Sequence, residues 1–228
     1  MLQTNDQRNE ILSNCADEDE RRRTEELIRP ILRGRDISRY GYNWANLWLI
    51  NTHNGIKGKY DRIHIEDYTA VKAHLDQYWN KISTREDKGD TPYNLRNCAY
   101  LDDFSKPKIV WGNLNLKASY TLIGDYFYIN APAAMIIPYY PIILAVLNSI
   151  IGDFYIRLLG VTRNGGYFEY KPMFIDRLPV PKLQEQSSLN ETLQSMIESF
   201  SHEKIERTLF KIYDLNDEEI DYLLGSKL

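Results

Sequence analysis

Residues 28–41 read IRPILRGRDISRYG and contain four arginines against a single acid, Asp36. Pro30 disfavours helical backbone in the residue before it, so any preceding helix ends there. Gly34 and Gly41 then mark turns among β-branched residues. The stretch therefore predicts the end of an N-terminal helical segment and the start of a different kind of structure. It also concentrates positive charge in a chain whose net charge is −4.

Charge is distributed unevenly along the chain. Residues 29–182 hold 20 Lys and Arg against 14 Asp and Glu, whereas residues 1–28 and 183–228 have net charges of −4 and −6. A basic body between two acidic ends favours a polyanionic partner, and nucleic acid is the first candidate.

The only two cysteines, Cys15 and Cys98, form no CxxC pair. We therefore expect a reducing, cytoplasmic compartment.

Hydrophobic patterning predicts an α+β protein, with a mixed, strand-rich body, packed helices and a C-terminal helical tail. Short apolar runs predict strands within residues 47–51, 107–111, 120–130 and 133–137. Helical spacing predicts single helices over residues 67–83 and 141–160. The second run is apolar, but Asp153 and Arg157 interrupt it, so a buried helix is favoured over a membrane span. We expect a helical linker over residues 1–28, a body over 29–183 and a tail over 184–228.

No catalytic motif is complete in this sequence. Phosphate-binding and dinucleotide-binding glycine loops, HExxH and GxSxG are absent, and the histidines are scattered, so no metal site is predicted. The nearest pattern is Glu169 and Lys171 with Asp153 upstream, as in nucleases that hold a divalent ion between carboxylates. In such nucleases the aspartate lies on a neighbouring strand, whereas Asp153 is predicted in an apolar helix. This geometry does not favour a metal-dependent nuclease, which is therefore kept only as the alternative hypothesis.

Four predicted loops have a composition that suits DNA, because each places Arg or Lys beside Gly, Asn or Tyr. Arginine binds guanine or phosphate through two hydrogen bonds, asparagine binds adenine, and glycine lets the backbone approach a duplex. The predicted DNA-facing residues are Arg33, Arg35, Arg39, Lys57, Lys59, Arg62, Asn94, Arg96, Arg163 and Asn164. Arg96 and Arg163 are predicted to reach base edges. For Arg96 a second role stays open, which is burial against Asp102 or Asp103.

Several segments together resemble a known family. They are EELIRPILRGRDISRYG, LWLINTHNGIK, FIDRLPVPKL and, most specifically, residues 89–111. These segments are similar to the C-terminal specificity domain of TaqI-like DNA adenine methyltransferases and type IIG restriction-modification enzymes. In that family the N-terminal half methylates the N6 atom of adenine with S-adenosylmethionine, and the C-terminal half selects the DNA sequence. The resemblance extends from about residue 8 to residue 225.

The resemblance implies a DNA target-recognition domain over residues 29–183 that has no catalytic activity of its own. The family's (N/D)PP(Y/F) tetrapeptide is absent, since residues 130–133 read NAPA, and the cofactor-binding glycine motif is missing too. S-adenosylmethionine is therefore expected only in the catalytic domain of a parent protein. The expected partners are double-stranded DNA and that catalytic domain, in cis or as a subunit, in a bacterial or archaeal phage-defence enzyme. A protein-interaction module that docks through its helical tail is a further alternative.

Overall fold

The computed structural model describes residues 2–182 and 187–226. The helices are α1 Asn5–Ser13, α2 Glu18–Leu27, α3 Thr69–Asp76, α4 Trp79–Ile82, α5 Pro141–Asn148, α6 Ile150–Leu159, α7 Pro172–Ile175, α8 Ser187–Glu198, α9 His202–Ile212 and α10 Asp217–Gly225. The strands are β1 Leu2–Gln3, β2 Ile28–Leu32, β3 Ile37–Ser38, β4 Gly41–Tyr42, β5 Trp48–Ile50, β6 Lys108–Trp111, β7 Leu114–Asn115, β8 Tyr120–Ile123, β9 Tyr128–Ile129, β10 Ala134–Ile136, β11 Thr162–Arg163 and β12 Tyr167–Glu169. This mixture confirms the predicted α+β class, and each predicted apolar run contains a strand.

The chain forms two compact units and passes between them more than once. The first unit comprises Met1–Leu32, Trp44–Ser105 and Tyr126–Tyr128, and the second comprises Arg33–Asn43, Lys106–Asp125 and Ile129–Leu228. The arginine stretch is therefore divided after Leu32, with its apolar strand in one unit and its glycine-containing part in the other. The boundaries expected after residues 28 and 183 stay predictions. The second of these boundaries lies outside the described residues.

The first unit is built on an antiparallel sheet in which β5 lies between β1 and β2. Ile11 of α1, Leu27 of α2 and Val71 of α3 are buried together beside this sheet. The helix predicted over residues 67–83 is wrong in one respect, because it is two helices. Tyr78 N donates to Leu75 O at 2.9 Å, and this tighter turn ends the α-helical hydrogen bonding between α3 and α4.

The second unit contains two three-stranded antiparallel sheets, with strand orders β10-β6-β8 and β11-β12-β7. Its core combines Trp111 and Tyr120 from the first of these sheets with residues of α5, α6, α8 and α9. Leu193 of α8 and Leu209 of α9 are fully buried there. The helices that the sequence suggested as a tail therefore contribute side chains to the core of this unit, because their apolar stripes need a partner surface.

The single helix predicted over residues 141–160 is also wrong, because α5 and α6 are separate helices bent by 66°. Ser149 lies at the break, where its side chain accepts a hydrogen bond from Gly152 N at 3.1 Å and so caps α6. A Cβ atom at Gly152 would lie 2.1 Å from Val146 O, so the bend requires glycine there. Within the described residues no single helix is long and apolar enough to cross a membrane; α5 and α6 meet that test only when taken as a pair.

Candidate nucleic-acid interface

The residues predicted to face DNA lie in four places. The first unit contains Lys57, Lys59, Arg62, Asn94 and Arg96, in two loops that follow β5 and α4. The second unit contains Arg33 and Arg35 beside one groove, and Arg163 and Asn164 in the hairpin between β11 and β12. Arg39 lies elsewhere in the second unit, against the C-terminal helices. The structure thus places the predicted residues in separate groups.

An open groove of about 1040 Å³ lies between the two loops of the first unit. Asn54 joins the loops, since its Nδ2 donates to Asp90 Oδ1 at 2.9 Å and to Asn97 Oδ1 at 2.6 Å. Its Oδ1 accepts in return from Asp90 N at 2.9 Å. Gly55 has φ +74°, and a Cβ there would meet Tyr60 O at 2.6 Å. The loops are therefore fixed by their own hydrogen bonds and by one glycine that permits a tight turn.

The cations of this groove differ in how they are held. Lys57, Lys59 and Arg62 line it. Lys59 forms an ion pair with Asp102, and Arg62 Nη1 lies 3.4 Å from Asp90 Oδ2. Arg96 is exposed in the adjoining loop. The alternative in which Arg96 is buried against an acid is thereby excluded.

Asn94 has a different place from the one predicted, because it is buried inside its loop. Its Nδ2 donates to Ile63 O at 2.9 Å and its Oδ1 accepts from Thr91 Oγ1 at 2.6 Å. Arg85 also donates to the carbonyls of Pro92 and Asn94. Asn94 and Arg85 therefore hold the loop in shape. The tendency of asparagine to bond to nearby backbone was the signal in the sequence for this role.

In the second unit, Arg33 and Arg35 lie beside a groove of about 500 Å³ that Tyr167 also lines. Arg33 donates to both carboxylate oxygens of Asp36, at 2.7 Å from Nη2 to Oδ1 and 2.9 Å from Nε to Oδ2. Burial alone would raise the pKa of Asp36, but the hydrogen bonds from Arg33 lower that pKa below its ordinary value. Arg33 is therefore a positioned cation, while Arg35 is exposed.

The hairpin of β11 and β12 positions a second guanidinium in the same way. Arg163 Nε lies 2.6 Å from Glu169 Oε1, and Lys171 Nζ lies 2.7 Å from Glu169 Oε2. The hydrogen bonds from Lys171 and then from Arg163 lower the pKa of Glu169. Asn164 is exposed at the start of the hairpin turn. Both oxygens of the Glu169 carboxylate are thus bound by cations.

The alternative nuclease site is not assembled from these residues. Asp153 Oδ1 accepts from Ala118 N at 3.0 Å and from Tyr170 Oη at 2.6 Å, and Asp153 also pairs with Arg157. Asp153 and Glu169 are therefore each engaged by protein groups. Across residues 2–182 and 187–226, no group of three or more His, Cys, Asp or Glu side chains could hold a metal ion.

Arg39 has a structural contact that the sequence did not suggest. Its Nη2 lies 2.9 Å from Glu206 Oε1 on α9, and Glu206 also accepts from Ile150 N at 3.2 Å at the start of α6. Burial raises the pKa of Glu206, although Ile150 and Arg39 oppose this. Next to it, Tyr40 stacks on His202 with ring centroids 5.1 Å apart. The ion pair of Arg39 with Glu206 therefore links the arginine stretch to α9, although the two residues are 167 positions apart in the sequence.

Comparison with known proteins identifies the class of this chain. Residues 29–180 match the family described as the TaqI-like C-terminal specificity domain. Because this match covers most of the chain, the chain belongs to that family of specificity domains. A search of curated protein sequences finds no significant match.

The fold is similar to part of the type IIL restriction-modification enzyme MmeI, whose structure was solved in complex with DNA. The TM-score is 0.68 at 12% sequence identity, and the similarity covers 98% of this chain and 33% of MmeI. The chain thus spans about a third of the length of that enzyme.

Proposed function

We propose that this chain is the DNA target-recognition domain of a restriction-modification enzyme, which binds duplex DNA and sets its target sequence. The proposal rests on membership of the specificity-domain family and on similarity to an enzyme solved with DNA. The observation that carries it is the groove of the first unit, where Lys57, Lys59 and Arg62 stand on loops that hydrogen bonds hold in place. Loops that are already fixed and that carry cations suit binding to a phosphate backbone, because they lose little conformational entropy when they bind.

The proposed contact residues follow from exposure and from charge. They are Lys57, Lys59, Arg62 and Arg96 in the first unit, and Arg33, Arg35, Arg163 and Asn164 in the second. Asn94 and Arg39 are proposed as scaffold, because the side chain of Asn94 is buried and Arg39 pairs with Glu206. This assignment narrows the set that the sequence predicted.

We propose further that the chain has no catalytic activity by itself and serves a parent enzyme that methylates the N6 atom of adenine. S-adenosylmethionine would bind in the catalytic domain of that parent, in cis or as a subunit. Family resemblance supports this finer proposal. The purified chain should therefore transfer no methyl group and cut no DNA, with or without Mg²⁺. Cleavage that Glu169→Ala abolishes would instead support the nuclease.

The DNA-binding proposal is tested by titrating a labelled duplex with the chain at two or more salt concentrations. We expect affinity to fall steeply with salt, because each neutralised phosphate changes the slope of log K against log salt by about 0.9. A variant that replaces Lys57, Lys59 and Arg62 by Gln should bind more weakly and with a shallower slope. Equal affinity at all salt concentrations, or no binding at low salt, would refute the proposal.

A further inference from the structure

The small sheet of β11, β12 and β7 has two different faces. In the register of its strands, Leu114 is the cross-strand partner of Glu169, and Arg163 is the cross-strand partner of Tyr167, so the two members of each pair share a face. Side chains alternate along a strand, so Leu116 lies on the same face as Leu114 and comes beside Tyr167. A Cβ atom built at Gly166 would lie 4.0 Å from Leu116 Cδ2, which is consistent with this placement. One face of the sheet therefore carries two leucines, a tyrosine and Arg163, together with the buried Glu169 to which Arg163 is paired.

That face is exposed although it is largely apolar. Leu114, Leu116 and Tyr167 are 49%, 54% and 40% exposed. The opposite face has a core contact, since Phe168 packs against the hydrophobic core of the second unit. The guanidinium carbon of Arg157 lies 4.3 Å from the centroid of the Phe168 ring. The sheet thus already has its buried side. A contiguous apolar patch on the other side of such a sheet is typical of an interaction surface.

Positive charge surrounds this apolar face and identifies the kind of partner. The side chain of Arg163 is 55% exposed, whereas the Glu169 beneath it is 7% exposed. Lys171 is 44% exposed on the other side of Glu169. Arg35 and Lys117 line the groove that Leu114, Leu116 and Tyr167 also line. Apolar side chains within a cationic rim complement the bases and phosphates of a nucleic acid.

The turn of the hairpin suits insertion into a groove. Gly165 and Gly166 both have φ +79°, a conformation that L side chains rarely adopt, so the turn is tight and carries no bulky side chain. The major groove of B-DNA is about 12 Å wide and admits a two-stranded β-ribbon. β11 and β12 form such a ribbon, and Leu116 lies at its edge beside Tyr167. Within it, the 5-methyl group of thymine is an apolar feature, and guanine offers two acceptors that arginine can bind together.

We propose that this outward face is a base-reading surface, with Leu116 and Tyr167 against a thymine methyl group and Arg163 on a guanine. The proposal rests on the proposed function and deepens it by naming the element that reads sequence and the base atoms that it reads. Glu169 is then a positioning residue, because it orients Arg163 and does not touch DNA. The glutamate and lysine of the nuclease-like pattern thereby receive a role in recognition.

The test begins with selection of bound sequences from a randomised duplex pool by the whole chain. Leu116→Ala should weaken the preference for thymine at one position and leave the other positions unchanged. Uracil in place of thymine at that position should lower wild-type affinity by about three- to fivefold, which is the value of one buried methyl group. The same change from thymine to uracil should leave the DNA affinity of the Leu116→Ala variant unchanged. Leu158→Ala is the matched control, since Leu158 is 58% exposed on α6 of the same unit.

The arginine is tested with two further variants. Arg163→Ala should lower the preference for guanine at a neighbouring position by about tenfold. Glu169→Gln should weaken the same preference less, and Arg163→Ala should mask its effect. An unchanged selected sequence in Leu116→Ala and Arg163→Ala, or equal changes in Leu158→Ala, would overturn the inference while DNA binding stands. Binding without any sequence preference would overturn it as well. A wild-type chain that binds no DNA would overturn the proposed function itself.

Discussion

At the scale of single residues, the burial of the acid distinguishes two kinds of ion pair among the predicted cations. Asp36 and Glu169 are buried beneath Arg33 and Arg163. Buried carboxylates fix the direction of a guanidinium and leave its outer N–H groups available. Asp102, the partner of Lys59, is 42% exposed, and an exposed pair of this kind contributes little stability. A phosphate can therefore replace Asp102 at low energetic cost.

This difference predicts the effect of Asp102→Asn. The substitution removes the competing charge beside Lys59, so DNA affinity at low salt should rise. The salt slope should steepen by up to about 0.9, since one more phosphate becomes fully neutralised. Anisotropy titrations of wild type and variant at several salt concentrations measure both quantities.

Asp19→Asn is the matched control for net charge. Asp19 lies on α2 of the same unit, is 75% exposed and pairs with Arg22 at 3.1 Å. Its substitution should change the slope less than Asp102→Asn does. Equal effects of the two variants would mean that net charge alone acts, and a weaker complex of Asp102→Asn would contradict the role given to Lys59.

At the scale of elements, both long helices predicted from hydrophobic spacing are pairs of shorter helices. Spacing locates apolar faces correctly, but it does not report a change of direction, because both halves of a bent helix keep the same period. The α5–α6 bend depends on the Ser149 cap and on the close approach of Gly152 to Val146 O. These are local contacts, and they place Ile150 N where it donates to Glu206.

Gly152→Ala tests the origin of the bend. Its Cβ would require backbone movement of α5 or α6, so we expect a loss of about 1–3 kcal/mol in the free energy of unfolding. Chemical denaturation followed by circular dichroism measures this loss. Gly124→Ala is the control, because no atom lies within 4 Å of a Cβ built at Gly124 and its φ is not in the left-handed region. Similar losses in both variants would show that the 2.1 Å approach is not what demands glycine.

At the scale of the whole molecule, the C-terminal helices α8 and α9 belong to the core of the second unit. Leu209 of α9 is fully buried in the second unit, whereas Leu224 of α10 is 63% exposed. The acidic composition of residues 183–228 suggested an appendage for a protein partner. The apolar stripes of α8 and α9 instead pack against α5 and its neighbours.

Leu209→Ala should lower the free energy of unfolding by about 2–5 kcal/mol, because it leaves a cavity in a packed core. Leu224→Ala should change it by about 0.5 kcal/mol or less. Urea denaturation of the whole chain compares the two variants. A neutral Leu209→Ala variant would mean that α9 is not needed for the stability of the second unit.

The α+β class, the positions of the principal strands and the family could all be predicted from the sequence. These features depend on local patterns, such as apolar runs, turn residues and the segments around residues 28–41 and 89–111. The sequence also suggested the cation-bearing loops, since their composition is local too. The sequence did not predict the bends of the two long helices, the Ser149 cap of α6 or the division of the arginine stretch between two units.

Which side chains are exposed for a partner and which are bound by other protein groups depends on the three-dimensional fold. Arg39 pairs with Glu206 across 167 residues, Asn94 turns into its own loop, and Arg163 is oriented by a buried Glu169. Leu116 and Tyr167 come to one face only because β7 pairs with β12 in a particular register. The physical reason is common to all four cases. Ion pairing, burial and strand register depend on distances through space, and spacing along the chain does not specify which distant residues will meet.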